Sequence, residues 1–140
     1  MPTRRLYSFT IFAYRKPGMS EEDYHAYVTE KHIPLVQSHY PKFGIVSYIV
    51  THFTTKTRQQ LHRILGPDIP ESVTVDYDST SQFLFRDIED YVRGRQDPFY
   101  KEVIEPDQAN FADASRTKFV TGWVEVAIVG GEPNGYGGIV

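Results

Sequence analysis

Between two strand-like stretches this chain carries a helix whose beginning and end are both written in residue types. Ser20 is a good N-cap, and Asp23 stands at the N3 position of a capping box, where Glu or Gln is the usual occupant. Tyr24, Val28 and Leu35 fall on one helical stripe, while Glu21, Glu22 and Glu30 lie mostly away from it. Pro34 cannot donate to the Glu30 carbonyl and disfavours helical geometry at Ile33, so the helix is predicted to stop or kink there. The element therefore has a set length and a set apolar face, and it separates two segments of β character.

Those segments follow from alternation and turn chemistry. Leu6 to Tyr14 is rich in β-branched and aromatic residues and runs into Lys16-Pro17-Gly18, a strand followed by a turn. Gly44 to Thr55 is predicted as a second strand, with Val46, Tyr48, Val50 and His52 on one face. Lys56 to Leu65 is polar, a short helix or flap closed by Gly66-Pro67. Ser72 to Phe85 is predicted as a third strand, in which Val75, Tyr77, Ser81, Phe83 and Phe85 alternate with Asp76, Asp78, Thr80, Gln82 and Leu84. Asp87 caps a helix to about Arg95, Asp97-Pro98 starts another turn, and Thr117 to Val129 is the fourth strand. From Gly130 the chain is rich in Gly, which predicts a flexible tail over 131–140 or an arm that orders on a partner, after one domain over 1–130.

The order strand, helix, strand, strand, helix, strand is that of a ferredoxin-like α+β fold, βαββαβ, with a four-stranded antiparallel sheet and helices on one face. The other face then needs a cover. Its mixture of aromatic and polar residues points to the sheet of a second copy, giving a homodimer that closes a barrel around a cavity.

Composition narrows the function classes. A chain of 140 residues is about one domain. Ten Tyr and nine Phe against one Trp supply apolar area with hydroxyls that need partners, which suits a cavity or interface as well as a core. A net charge of -3 and a pI near 5.9 argue against nucleic-acid or anionic-membrane binding. With no Cys, disulfides, thiolate catalysis and zinc–cysteine sites are excluded. No apolar run approaches the ~20 residues of a membrane span, and the N-terminus is too weakly apolar for a signal peptide. The expectation is a cytoplasmic enzyme or binding protein.

His32 is the leading chemical candidate. An imidazole titrating near pH 6.5 at a broken helix end, beside an apolar face, serves as acid or base, and equally well as a cap for loose carbonyls. His25, His32 and His39 are seven apart, two helical turns or about 10.5 Å along the axis, which is too far for one metal ion. His52 shares a strand face with Tyr48 and forms a candidate acid/base and hydrogen-bonding pair. Asp76, Asp78, Thr80 and Gln82 make a polar stripe whose carboxylates would have raised pKa values if they faced a cavity. Tyr100, Asp107 and Asp113 are expected to be mainly structural, Asp107 capping a turn after Pro106. Lys56, Arg58 and Arg63 could meet a substrate carboxylate from a mobile flap.

With this order in place the chain resembles the EthD family of the dimeric α/β-barrel superfamily. The resemblance rests on Glu30-Lys31-His32-Ile33-Pro34, on Tyr77-Asp78 with Gln82 and Phe85, and on Asp97-Pro98-Phe99-Tyr100, Glu105-Pro106-Asp107 and Phe111-Ala112-Asp113. It spans residues from about 6 to 129, and within the family it is greatest to small fungal proteins of aromatic polyketide clusters. Gln82 stands where members often have Glu, and Leu84 where they often have an aromatic residue.

The resemblance implies a homodimer without cofactor or metal, acting on a small aromatic polyketide. The implied reaction is decarboxylation of an anthrone-type carboxylic acid, with His32, His52 and Asp78 as catalytic groups. Val46, Tyr48, Tyr77, Gln82, Phe85 and Tyr100 would contact the substrate. A polyketide cyclase or dehydratase needs almost the same groups, and a non-catalytic carrier of an aromatic ligand would keep the pocket while tolerating loss of His32.

Overall fold

The protein is described by a computed structural model over residues 5–135. Its main elements are β1 (Leu6–Ala13), α1 (Glu21–Tyr27), α2 (Ile33–His39), β2 (Ser47–His52), α3 (Thr55–Gln59), α4 (Leu61–Leu65) and β3 (Ser79–Phe85). They continue with α5 (Ile88–Gln96), α6 (Glu105–Asp107), β4 (Lys118–Val124) and the two-residue strands β5 (Ile128–Val129) and β6 (Glu132–Pro133).

The expected cap is present: Ser20 Oγ accepts from the Asp23 N–H at 3.0 Å. Of the stop or kink expected at Pro34, the stop does not occur. Instead α1 widens into a π-helical turn over Val28–His32 and resumes as α2. The Ile33 N–H reaches the Val28 carbonyl, five residues back. Pro34 thus falls in the first turn of a new α-helix, where a missing donor costs nothing.

The second half repeats the device. Asp87 Oδ1 caps α5 through the Glu89 N–H at 2.9 Å, and the Asp97 carboxylate accepts from the Phe99 N–H at 2.9 Å to start the next turn. That turn is again π-helical, Tyr100–Ile104, with the Glu105 N–H on the Tyr100 carbonyl and Pro106 opening α6.

The four long strands form one antiparallel sheet in the order β2-β3-β1-β4, as the ferredoxin-like α+β reading requires. Phe83 lies opposite Phe9 on one side and Tyr48 on the other, so these three share a face with Ile11, Val50, His52, Phe85 and Phe119. The helices cover this face. Phe83 meets Tyr40, Tyr48 and Tyr91 with ring centroids 4.7–5.1 Å apart, inside a core completed by Val36, Phe85, Tyr100 and Ile104. A second cluster, Tyr24, Val28 and Phe111, lies under α1. Fully burying one such apolar side chain stabilises by about 1.5–3 kcal/mol, so these two clusters hold the helices to the sheet.

The opposite face carries Thr10, Thr80, Gln82, Ile49 and Val120, with Ile49 and Val120 about half exposed. Several strand boundaries differ from the sequence expectation, the second strand also ending at His52 rather than Thr55. The second strand starts at Ser47 rather than Gly44, and the third at Ser79 rather than Ser72. Val73 and Val75 are exposed ahead of the third strand, because Pro70 and a 3-10 turn at Glu71–Val73 interrupt the alternation. The fourth strand ends at Val124, and the chain then folds β5 back on β6 with Gly130 and Gly131 at φ 58 and 82. The expected tail therefore begins inside a hairpin; its residues 136–140 lie outside the described range. Among the described residues no helix is long and apolar enough to cross a membrane.

Candidate functional site

The two π-turns set two side chains against each other. His32 is the last residue of the first, and Asp107 follows the second by one short turn. His32 Nδ1–H donates to Asp107 Oδ2 at 2.9 Å, while the Tyr27 hydroxyl donates to Oδ1 at 2.5 Å and Asn110 Nδ2 adds a third donor at 3.1 Å. His32 is 9% exposed and packs its ring on Phe111 with centroids 4.7 Å apart. A carboxylate on Nδ1 fixes the tautomer, so the other nitrogen, Nε2, is the one left to exchange a proton.

Burial lowers the His32 pKa below the ordinary imidazole value, with Asp107 opposing the shift only in part. For Asp107, burial works against ionisation, but the donors from Tyr27, His32 and Asn110 outweigh it and hold the carboxyl below the usual range. Tyr27 is pushed up, chiefly by its hydrogen bond to that carboxylate. At neutral pH the arrangement is a neutral imidazole backed by a carboxylate: a base that stabilises the imidazolium it becomes.

The other two predicted catalytic residues belong to separate centres. His52 Nδ1 meets His25 Nδ1 at 2.7 Å, and His25 Nε2–H donates to the Phe53 carbonyl at 3.0 Å. Neutral His25 then has only an acceptor on Nδ1, so His52 donates to it. Burial first, then repulsion whenever His25 carries a second proton, lowers the His52 pKa. Asp78 is buried and accepts from the Arg15 N–H at 2.8 Å and Arg15 Nη1 at 3.1 Å, with Arg58 Nη2 at 3.9 Å. It sits in a cleft of about 780 Å³ that also holds Lys16, Asp76 and Arg116. Asp76 is exposed, and the Tyr14 hydroxyl holds its pKa down rather than up.

The predicted substrate contacts divide between faces. Tyr48 is stacked on Phe83, with burial raising its pKa to about 12, and it shares a cleft of about 330 Å³ with Val46, Val36 and Tyr40. Phe85 and Tyr100 lie on the same helix-covered side and are almost wholly buried. Gln82 is on the opposite face, between Thr10 and Ile49. Tyr77 packs against Phe12 and Tyr14, and its carbonyl takes a hydrogen bond from Arg58 at 2.7 Å.

The three heptad-spaced histidines go to three places: His25 to His52, His32 to Asp107, and His39, fully buried, to the Gly94 carbonyl at 2.8 Å. Among the described residues no three His, Asp or Glu side chains converge on one point. Asp107 and Tyr27 are the members that sequence reasoning assigned elsewhere or passed over. The one available signal was the repeated spacing of a proline two residues after His32 and two after Ile104.

Known proteins share both the fold and much of the sequence. The family model of the EthD domain matches residues 16–115. The chain is 40% identical over 129 residues to the conidial pigment biosynthesis dehydratase EthD of Metarhizium robertsii, covering 92% of this chain and 89% of that one. It is 38% identical over 128 residues to the decarboxylase claH of Passalora fulva, covering 91% and 82%. In fold it is similar to a dimeric protein of unknown function with a ferredoxin-like fold from Bacteroides fragilis, at a TM-score of 0.56, 8% identity and coverage of 84% and 94%.

Proposed function

This chain belongs to the EthD domain family, and from that premise we propose that it is a lyase that decarboxylates an aromatic polyketide carboxylic acid. Its relatives carry both decarboxylase and dehydratase names, which makes a lyase the common ground. The observation that carries the finer reading is the buried His32–Asp107 pair, with Tyr27 on the second carboxylate oxygen. His32 Nε2 takes the enol or phenol proton beside the carboxylate of a β-keto or ortho-hydroxy aryl acid, and Asp107 stabilises the imidazolium. The carbon–carbon bond then breaks, carbon dioxide leaves with its carbon–oxygen bonds complete, and the electron pair stays on the ring as an enolate. The same proton returns from His32 to carbon, which regenerates the neutral imidazole.

Dehydration uses the same pair in a different order: His32 removes a proton beside a carbonyl and returns it to the departing hydroxyl. Tyr48 and Tyr100, on the helix-covered side with His32, orient the substrate, while His52 and Asp78 act at the margins of the site. The free sheet face, with Gln82, Ile49 and Val120, pairs with that of a second copy to complete a barrel.

Incubation of the protein with a synthetic aryl β-keto acid, followed by mass spectrometry, tests this. Loss of carbon dioxide supports decarboxylation; loss of water alone would favour the dehydratase. His32→Gln is expected to reduce turnover roughly 10²–10⁴-fold, and Asp107→Asn to reduce it less while shifting the pH profile. Full activity in His32→Gln would remove His32 from the mechanism, and tight binding without turnover in the parent protein would leave the carrier reading.

A further inference from the structure

Arg95 is a cation in an unusual place. It lies one turn after Tyr91 on the sheet-facing side of α5, half-buried, with its guanidinium carbon 5.0 Å from the Tyr100 ring centroid, 5.9 Å from Phe9 and 6.0 Å from Tyr91. Among the described residues no carboxylate comes within ion-pairing distance of it, whereas Arg15 and Arg93 each have one and Arg58 has two. Next to it stands a second anomaly. Tyr40 is 2% exposed, is stacked on Tyr91 at 5.2 Å, and has a hydroxyl that makes no well-formed hydrogen bond, its pKa raised by burial and then by the neighbouring Tyr91. A buried unpaired hydroxyl ordinarily costs about 1–3 kcal/mol, so such groups mark places where something else belongs. The floor beneath is aromatic: Phe9 stacks on Phe119 at 5.7 Å and an interplanar angle of 10°, and Phe119 is 58% exposed.

A planar aromatic surface open on one side, ending at phenol hydroxyls and at a guanidinium that no carboxylate among the described residues neutralises, has the form of a ligand site. We propose that Arg95, with Tyr91 and Tyr100, binds an anionic oxygen of a planar aromatic ligand whose rings lie on the Phe9–Phe119 pair. The proposal rests on the aromatic polyketide reading above and deepens it by assigning the charged anchor. Guanidinium is suited to this role because it keeps its charge when half-buried and offers several fixed donors. Two oxygens have the required chemistry, the carboxylate of the substrate and the enolate or phenolate that forms when the carboxylate departs. Only the second gains charge as the reaction proceeds, so holding it would accelerate the chemistry itself.

Three fluorescence-quenching titrations test the anchor, with an anthraquinone carboxylate, a hydroxyanthraquinone titrated above its phenol pKa, and an uncharged hydroxymethyl-anthraquinone. Arg95→Met is expected to weaken at least one anionic probe by roughly tenfold or more, and the uncharged probe little. Loss confined to the acid assigns the carboxylate; loss of the hydroxyanthraquinone assigns the enolate or phenolate position. Arg95→Lys should retain part of the anion affinity, and it supplies the answer if Arg95→Met fails to fold. Anion binding equal to the parent protein in a folded Arg95→Met would overturn the proposal, and so would an equal loss for all three probes. His32→Gln, which should bind the three probes as the parent does yet lose most of its turnover, separates failure of the anchor from failure of the lyase reading.

Discussion

At the scale of the residue, His32 and Asp107 make the protein acid-sensitive in a calculable direction. Burial lowers the folded-state pKa of His32, so as pH falls the unfolded chain takes up this proton first. The stability tied to neutral His32 is therefore full above its ordinary value of 6.5 and declines as pH drops below it. Asp107, also lowered, acts with the same sign in a lower window: its contribution is full above the ordinary 3.8 and is lost as pH falls through the depressed value. Urea midpoints measured from about pH 7 down to about pH 5 should fall, and His32→Gln should flatten part of that slope. In the same range kcat/KM should decline on the acid side with a midpoint below 6.5 if, as proposed, the neutral imidazole is the working form. His32 was legible in the sequence because a histidine just ahead of a proline is a local pattern. Asp107 was not, since its partner lies 75 residues away and Pro-Asp by itself signals only a turn.

At the scale of the element, the capped helix starts were legible and the π-turns were not. Ser20 and Asp87 announce themselves by residue type, but a π-turn needs no particular residue within it; here each is a wider closure set by the proline just downstream. Pro34 was read as a stop or kink and Pro106 only as the residue before a turn, yet at both the helix continues. Strand ends were misjudged for a related reason: alternation continued through Val73 and Val75, although the backbone there had left the sheet. Packing between elements yields a sharp test in α5. A Cβ on Gly94 would stand 2.7 Å from Tyr40 Cε1 and 3.0 Å from Cδ1, and that ring is clamped against Tyr91 and Phe83. Gly94→Ala should therefore destabilise by about 1–3 kcal/mol through overpacking, against at most ~1 kcal/mol regained from helix propensity. A thermal melt should show a lower Tm, and an unchanged or higher one would mean that Tyr40 moves aside.

At the scale of the whole molecule, the helix-free sheet face is where a second copy is proposed to sit. Ile49 and Val120, on the outer strands of the sheet, are 47% and 51% exposed. Val120→Asp would put a charge into that interface without touching the helix-covered core. Sedimentation should show a dimer for the parent protein and a monomer for the variant; a parent that remains monomeric at micromolar concentration would sink the pairing. The ferredoxin-like order was legible from alternation and caps, while the division of labour between the two sheet faces emerged only from register. One consequence of the two π-turns concerns time rather than space. His32 belongs to the first strand–helix–strand half of the chain and Asp107 to the second, so neither half contains the proposed pair by itself. During synthesis or refolding, secondary structure forms locally and early, whereas a contact of such long sequence separation closes late. On the proposed mechanism, catalytic competence would consequently be among the last properties the chain acquires, and refolding followed by activity should lag behind refolding followed by circular dichroism.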